Sequence, residues 1–231
     1  MNYVDIIILM VILAGAIIGF KRGVLKQSVL TIGMILVVVL SFLLKNPLSA
    51  FLYSRLPFLT FGVLYDYTVL NILVYEFISF MILFLLFSIV FGLLVKVSSK
   101  LEEFFKDTVI LAIPSKILGM ILGAVEYYII TFIVLFILSG PIVFSENFHQ
   151  IKPVTNSKIA GYMLKKTPVL SYYTKNTLKS IEELVDIYKE KDKVSTDEFN
   201  CKAIKVMKKD KIVSEKSIDY LESHGKIKRC E

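Results

Sequence analysis

Apolar residues in the first 140 positions form four runs, each close to the length of about 20 residues that a membrane-spanning helix needs. The runs cover residues 4–20, 24–44, 69–95 and 117–139. The remaining residues, 141–231, are polar but not of low complexity. The pattern predicts an all-α fold, with an integral membrane four-helix bundle over residues 1–140 and a basic, helical, water-facing tail over residues 141–231.

The connection between the first two runs is very short, because only Lys21, Arg22 and Gly23 separate them. It predicts a tight antiparallel helical hairpin whose cations mark the turn at the membrane surface. These cations follow the first apolar run, and no small-residue cleavage site comes after it. We therefore expect this segment to be retained as a membrane helix and not to be cleaved as a signal peptide.

Two further stretches between the runs have helical features. The sequence NPLSAFLYSRLPFLTFG is too short to span, and Pro57 stops any helix, so it predicts an interfacial helix along the membrane. The amphipathic sequence SSKLEEFFKDTVILAIPSK keeps a helical period. It favours a continuation of the third helix beyond the bilayer over a separate amphipathic element.

The tail carries several helix signals. Ser157 can cap a short helix that runs through Lys165. The sequences at 180–183 and 195–198 fit the capping box Ser-x-x-Glu, and Gly225 suits the position after a last helix. The helix after the second box has an apolar face of Phe199, Ala203, Val206 and Met207. We expect a small helical appendage, too poor in apolar residues to fold robustly alone, that leans on the membrane or on a partner.

Composition and charge agree with a membrane protein and predict its orientation. Hydrophobic residues make up 55% of the chain, with a mean hydropathy of +0.68. The net charge is +1 over residues 1–150 and +6 over residues 151–231. The first and third loops carry seven cations against four on the other side, so the positive-inside rule places these two loops in the cytoplasm and both termini outside.

Signals for catalysis, metal binding or nucleic-acid binding are weak. Neither His149 nor His224 has a partner at a catalytic spacing, and no metal-binding or nucleotide-binding motif occurs, so we expect no enzyme, no cofactor and no metal. Cys201 and Cys230 can form one disulfide or remain free thiols. The cations of the tail alternate with acids and lack interleaved aromatic residues, which favours anionic lipid or solvation over nucleic acid.

Small residues recur at four-residue spacing in the predicted membrane helices, where they permit close helix packing. They are Gly15, Gly19 and Gly23 in the first hairpin, Gly119 and Gly123 in the fourth helix, and, more weakly, Ser88 and Gly92 in the third. Packing within the chain is favoured, and a homo-oligomer interface is the alternative.

Three carboxylates fall within the predicted spans. Glu126 lies nine residues after Ile117, about 14 Å along the fourth helix and near mid-membrane. It either makes a functional or structural polar contact or is a neutral acid held by packing. Glu76 and Asp5 lie near the outer helix ends and are interpreted as solvated anchors.

Several short motifs resemble the colicin V production protein family of small bacterial membrane proteins. They are Asp5-Ile-Ile-Ile-Leu, the turn Gly19-Phe-Lys-Arg-Gly23, Lys116-Ile-Leu-Gly-Met-Ile-Leu-Gly123, and Asn156-Ser-Lys-Ile-Ala followed by Pro168. The resemblance covers about residues 1–170. Gln27 and Ser115 depart from it, because acids are expected at both positions, so the charge pairs of relatives are in doubt here.

The resemblance implies a non-enzymatic role in toxin production or export, or in envelope maintenance, at the bacterial cell membrane. Lipid is then the main partner, with a second copy or envelope and export proteins as others. The alternative is a small transporter or channel component in which Glu126 lines a polar path.

Overall fold

A computed structural model of the protein describes residues 2–60, 63–98, 112–139, 156–168, 170–189 and 194–230. The described residues are helical, and four of their helices are long and apolar enough to cross a membrane. In the first part of the chain the helices are α1 (Tyr3–Arg22), α2 (Val24–Arg55), the short α3 (Val63–Asp66), α4 (Leu70–Ser98) and α5 (Ala112–Leu138). The all-α membrane bundle is therefore confirmed. The amphipathic stretch between α4 and α5 lies largely outside the described residues.

The connection between α1 and α2 is a single residue, Gly23, whose φ of 77° lies in the left-handed region that favours glycine. However, α1 packs mainly against α5 and makes few contacts with α2, which packs against α4 and α5. The predicted tight pairing of the first two helices is wrong. The glycine faces of α1 and α5 match each other, and that close contact determines the neighbour of α1.

The second helix is longer than predicted. It continues through Pro47 to Arg55, so a separate interfacial helix over these residues is wrong. A helix of 32 residues is about 48 Å long, well beyond the ~30 Å hydrocarbon core, and its last turns therefore project from the membrane. Pro57 does end the helix, because the residue before a proline avoids the helical region and Leu56 is extended with ψ 152°.

The centre of the bundle is an aromatic layer contributed by three helices. Phe42 of α2 stacks on Phe80 of α4 at a centroid distance of 4.5 Å, and Phe136 of α5 lies 5.1 Å from the first ring and 5.7 Å from the second. All three rings are buried. Leucine and isoleucine side chains on the outer faces of the helices are exposed, as expected for surfaces that meet lipid tails.

The tail forms the helices α6 (Lys158–Lys166), α7 (Leu170–Lys189), α8 (Thr196–Lys209) and α9 (Glu215–Ser223). Ser157 and Ser195 cap α6 and α8 as predicted, and Gly225 follows α9 with φ 67°. The predicted cap at Ser180 is wrong, because this residue lies inside α7, where its hydroxyl donates a hydrogen bond of 2.9 Å to Asp210. The ammonium group of Lys179 also donates a hydrogen bond to the carboxylate of Asp210, and this bond raises the pKa of Lys179.

The tail is attached to the bundle by apolar and polar contacts. The buried apolar core runs continuously from the membrane helices into the tail, where Leu184, Phe199 and Met207 belong to it. Lys226 donates hydrogen bonds to the carbonyl groups of residues 53, 54 and 56, which are left unpaired where α2 ends. Burial lowers the pKa of this lysine.

Candidate functional site

The helices α1 and α5 approach each other closely at their glycine faces. A Cβ added to Gly19 would fall 2.8 Å from Gly123 Cα, and one added to Gly119 would fall 2.8 Å from the backbone of Gly23. A Cβ on Gly15 would collide with the ring of Tyr127. The two backbones therefore touch, and the contact lies within one chain.

The carboxylate of Glu126 on α5 interacts with side chains of α1 and α2 beside this contact. Glu126 is 8% exposed, accepts a short hydrogen bond from the side-chain amide of Gln27, and lies 3.6 Å from the guanidinium group of Arg22. Gln27 is fully buried and also reaches Thr31, whose hydroxyl donates to the backbone carbonyl of Leu122. We call Arg22, Gln27, Thr31 and Glu126 the inner cluster.

The geometry of α5 explains how Arg22 reaches this carboxylate. Gly119 is level with the turn at Gly23, and Glu126 is only seven residues further, about 10 Å along the helix. Side chains in a helix lean toward its N-terminus, which brings the carboxylate closer to the turn. The carboxylate of Glu126 therefore comes within 3.6 Å of the guanidinium group of Arg22 at the turn.

A second cluster lies at the opposite end of the bundle, where the tail docks. Lys45 of α2 and Glu76 of α4 form an ion pair and are 5% and 2% exposed. Thr177 of α7 donates a hydrogen bond of 3.2 Å to Glu76 and accepts one of 3.5 Å from Lys45. Among the described residues, none hydrogen-bonds the second oxygen, Oε2, of Glu76. We call Lys45, Glu76 and Thr177 the outer cluster.

Asp5 fixes the start of the tail to the start of α1. Its carboxylate accepts hydrogen bonds from the hydroxyl of Ser157, from the backbone N–H of Ile159 at 3.1 Å and from that of Asn2 at 2.9 Å. Asp5 is 2% exposed, like Glu76. The interpretation of these two acids as solvated anchors is therefore wrong, because the tail covers both of them.

Some contacts were missed from the sequence, and one was wrongly expected. The inner cluster depends on Gln27, which bonds Glu126. At the start of the same helix, the backbone N–H of Val24 donates a hydrogen bond of 3.2 Å to the hydroxyl of Ser115. Both positions at which acids were expected thus carry uncharged side chains that make hydrogen bonds here. Gly33, which was not singled out, accommodates the ring of Phe91. By contrast, a Cβ added to Gly92 would have no atom of the described residues within 4 Å, so the close packing expected at Gly92 is wrong.

A sequence signal for the buried polar contacts exists along α2. Its buried polar residues recur near four-residue spacing on one face, and they are Gln27, Thr31, Ser41, Lys45 and Ser49. The apolar residues Val37 and Val38 and the aromatic layer separate the two clusters. No group of three metal-ligating side chains occurs within the parts of the chain that the structure describes.

Comparison with known proteins matches most of the chain to a protein family. The family model described as Colicin V production protein matches residues 4–168. No curated protein and no solved structure matches the chain. The matched region contains α1 to α6, and therefore the inner cluster, the ion pair of the outer cluster and the Asp5–Ser157 contact.

Proposed function

The chain belongs to the colicin V production protein family, and from this premise we propose that it is a non-enzymatic accessory or scaffold protein of the bacterial cytoplasmic membrane. Its role would lie in toxin production or export, or in maintenance of the cell envelope. The family assignment over residues 4–168 is the observation that carries this proposal. Candidate partners are envelope or export proteins, or a second copy of the chain.

The packing of the bundle supports a scaffold. The aromatic layer of Phe42, Phe80 and Phe136 fills the space between the inner and outer clusters with buried apolar rings. Within each cluster, charged and polar side chains connect neighbouring helices through hydrogen bonds and ion pairs. Such connections suit a rigid bundle that holds the tail in place. An ion would have no continuous polar surface to follow through this layer.

We also propose that the tail and both termini lie outside the cytoplasm. The excess of cations in the first and third loops supports this orientation. The disulfide between Cys201 and Cys230 is independent support, because disulfides persist in oxidising compartments and are rare in the cytosol.

Thiol labelling in intact cells tests the orientation. After treatment with a membrane-impermeant reductant, an impermeant maleimide polymer is expected to shift the mass of the protein by two labels, at Cys201 and Cys230. Without the reductant no shift is expected. Labelling that needs permeabilised cells would reverse the assignment, and labelling without reductant would contradict the disulfide.

A second candidate function is a small transporter or channel component. The observation that favours it is the set of buried polar residues on one face of α2, which includes members of both clusters. In this alternative Glu126 lines a polar path and its charge is needed for activity.

Glu126 variants distinguish the two functions. For a scaffold, Glu126→Gln is expected to rescue a deletion strain fully in toxin secretion and envelope integrity, since the amide keeps a hydrogen bond to Gln27. Glu126→Leu removes one of the two acceptors of that buried amide and leaves only Thr31, and we expect a loss of about 1–3 kcal/mol in the free energy of unfolding. Rescue should then follow the amount of folded protein.

Proteoliposomes supply the matching flux measurement. We expect proton and potassium flux no higher than in protein-free liposomes. The transporter would be favoured if the wild-type protein gave flux above that level and Glu126→Gln abolished this flux. Glu126→Gln would then also fail to rescue the deletion strain, although the amount of folded protein is unchanged.

A further inference from the structure

A groove separates the projecting end of α2 from the tail. Its volume is about 540 Å³, and a second groove of about 320 Å³ shares Ala50, Tyr53 and Ser217 with it. On one side lies α2 from Asn46 onward, and on the other lie the turn between α8 and α9 and the first turn of α9. Because α2 leaves the hydrocarbon core in this region, the groove opens near the membrane surface.

The groove is lined by cations in excess of acids. Lys208, Lys211 and Glu215 line the larger part, and Arg55 and Lys216 line the smaller. Glu215 is neutralised by Lys208 at 2.6 Å, and this contact lowers the pKa of the carboxyl and raises that of the lysine. In the described part of the chain no acid pairs with Lys211, Lys216 or Arg55, so three positive charges remain available for a ligand.

An exposed apolar stripe on α2 leads into the groove. Leu36, Leu40 and Leu43 follow helical spacing on the lipid-facing side and are 56%, 43% and 53% exposed. The stripe continues through Pro47 to Phe51, which is 58% exposed and lines the smaller part of the groove. The guanidinium group of Arg55 lies 5.9 Å from the centre of the Phe51 ring.

We propose that this groove binds the headgroup of an anionic phospholipid from the membrane leaflet on the side of the tail. The acyl chains would lie along the stripe of α2, and the phosphate would meet Lys211, Lys216 and Arg55. A continuous apolar surface that ends in unpaired cations at the membrane surface matches the two halves of such a lipid. A soluble anion would use the cations but leave the stripe without a role.

The absence of tryptophan from the chain allows a direct test. Phe51→Trp places the single tryptophan of the chain in the groove. Ile32→Trp places it on the same face of α2, about 28 Å away, and Ile32 has the same exposure as Phe51, 58%. Each variant is reconstituted in phosphatidylcholine vesicles with a small fraction of brominated phosphatidylglycerol or brominated phosphatidylcholine. Quenching then reports which lipid contacts each position.

At position 51 we expect stronger quenching by brominated phosphatidylglycerol, and at position 32 equal quenching by both lipids. Adding Lys211→Gln or Lys216→Gln should weaken the preference at position 51 about fivefold each. Lys211→Arg should keep the preference, and Lys175→Gln, which removes an exposed lysine outside the groove, should not change it.

Equal quenching at position 51 by both lipids, or a preference that survives loss of both lysines, would overturn the proposal. Displacement of the brominated lipid by inorganic phosphate at matched ionic strength would also overturn it, since it would identify a site for a free anion.

Discussion

Gly19→Leu is expected to lower the free energy of unfolding by about 3 kcal/mol or more, among the largest effects of any single substitution in the bundle. The reason is the backbone contact between α1 and α5. A Cβ at this position would meet the backbone of Gly119 and Gly123, with 2.8 Å to the Cα atom of the latter. Backbone cannot rotate away as a side chain can, so the two helices would have to separate.

Separation of these helices would also strain the inner cluster, because Arg22 and Glu126 lie on the two sides of the contact. The measurement is thermal unfolding in detergent or bicelles, followed by the amount of protein that remains monodisperse. Gly119→Leu is expected to behave in the same way, since its Cβ would lie 2.8 Å from the backbone of Gly23.

Gly92→Leu is the matched control. Within the described parts of the chain no atom lies within 4 Å of its Cβ position. The same added side chain should therefore project from the bundle and change stability little, or raise it slightly through better helix propensity. Equal losses for Gly19→Leu and Gly92→Leu would show that leucine harms the helices themselves. Unchanged stability with a smaller oligomer for Gly19→Leu would instead place this face between two copies.

Lys45→Met is expected to lower the free energy of unfolding by about 3–5 kcal/mol, because it leaves the carboxylate of Glu76 buried without a counter-charge. The double variant Lys45→Met/Glu76→Leu should recover most of this loss or exceed the wild-type stability, since an apolar pair avoids the desolvation of both charges. The variants are compared in the same unfolding measurement.

The interaction energy of this double-mutant cycle is the decisive quantity. If the losses of Lys45→Met and Glu76→Leu simply added, the two charges would not be coupled. Thr177 tests the contribution of the tail. Thr177→Val removes the hydroxyl that contacts both charged groups and keeps the side-chain volume nearly constant. We expect it to lower the free energy of unfolding by less than Lys45→Met does.

Much of the architecture was predictable from the sequence because lipid imposes simple requirements. A span needs about 20 apolar residues, and four such runs correspond to the four membrane helices. Local hydrogen-bonding chemistry accounts for the caps at Ser157 and Ser195 and the left-handed residue Gly225. These features depend on residues a few positions apart, so a short stretch of sequence contains all the information they need.

Errors arose where the local signal was overridden by distant partners. The sequence around Pro47 indicated a break, but α2 continues to Arg55, where its last carbonyl groups accept hydrogen bonds from Lys226 near the far end of the chain. Pro57 ends the helix as predicted. Likewise, Ser180 fits a capping box but lies within α7 and bonds Asp210. A proline or serine signal is a weak local preference, and contacts made 30 to 170 residues away can outweigh it.

The sequence by itself determined that this chain crosses a membrane, that its glycines line helix faces, and that Glu126, Glu76 and Asp5 are carboxylates within the predicted spans, with Glu126 in the costly position. Only the tertiary structure decided their partners. Glu126 meets Gln27 and Arg22, Glu76 meets Lys45, and Asp5 meets Ser157. The physical reason is that period and composition fix which face of a helix is apolar or polar, whereas the choice of neighbouring helix depends on the fit of whole surfaces. Here the glycine contact of α1 with α5 and the docking of the tail made that choice.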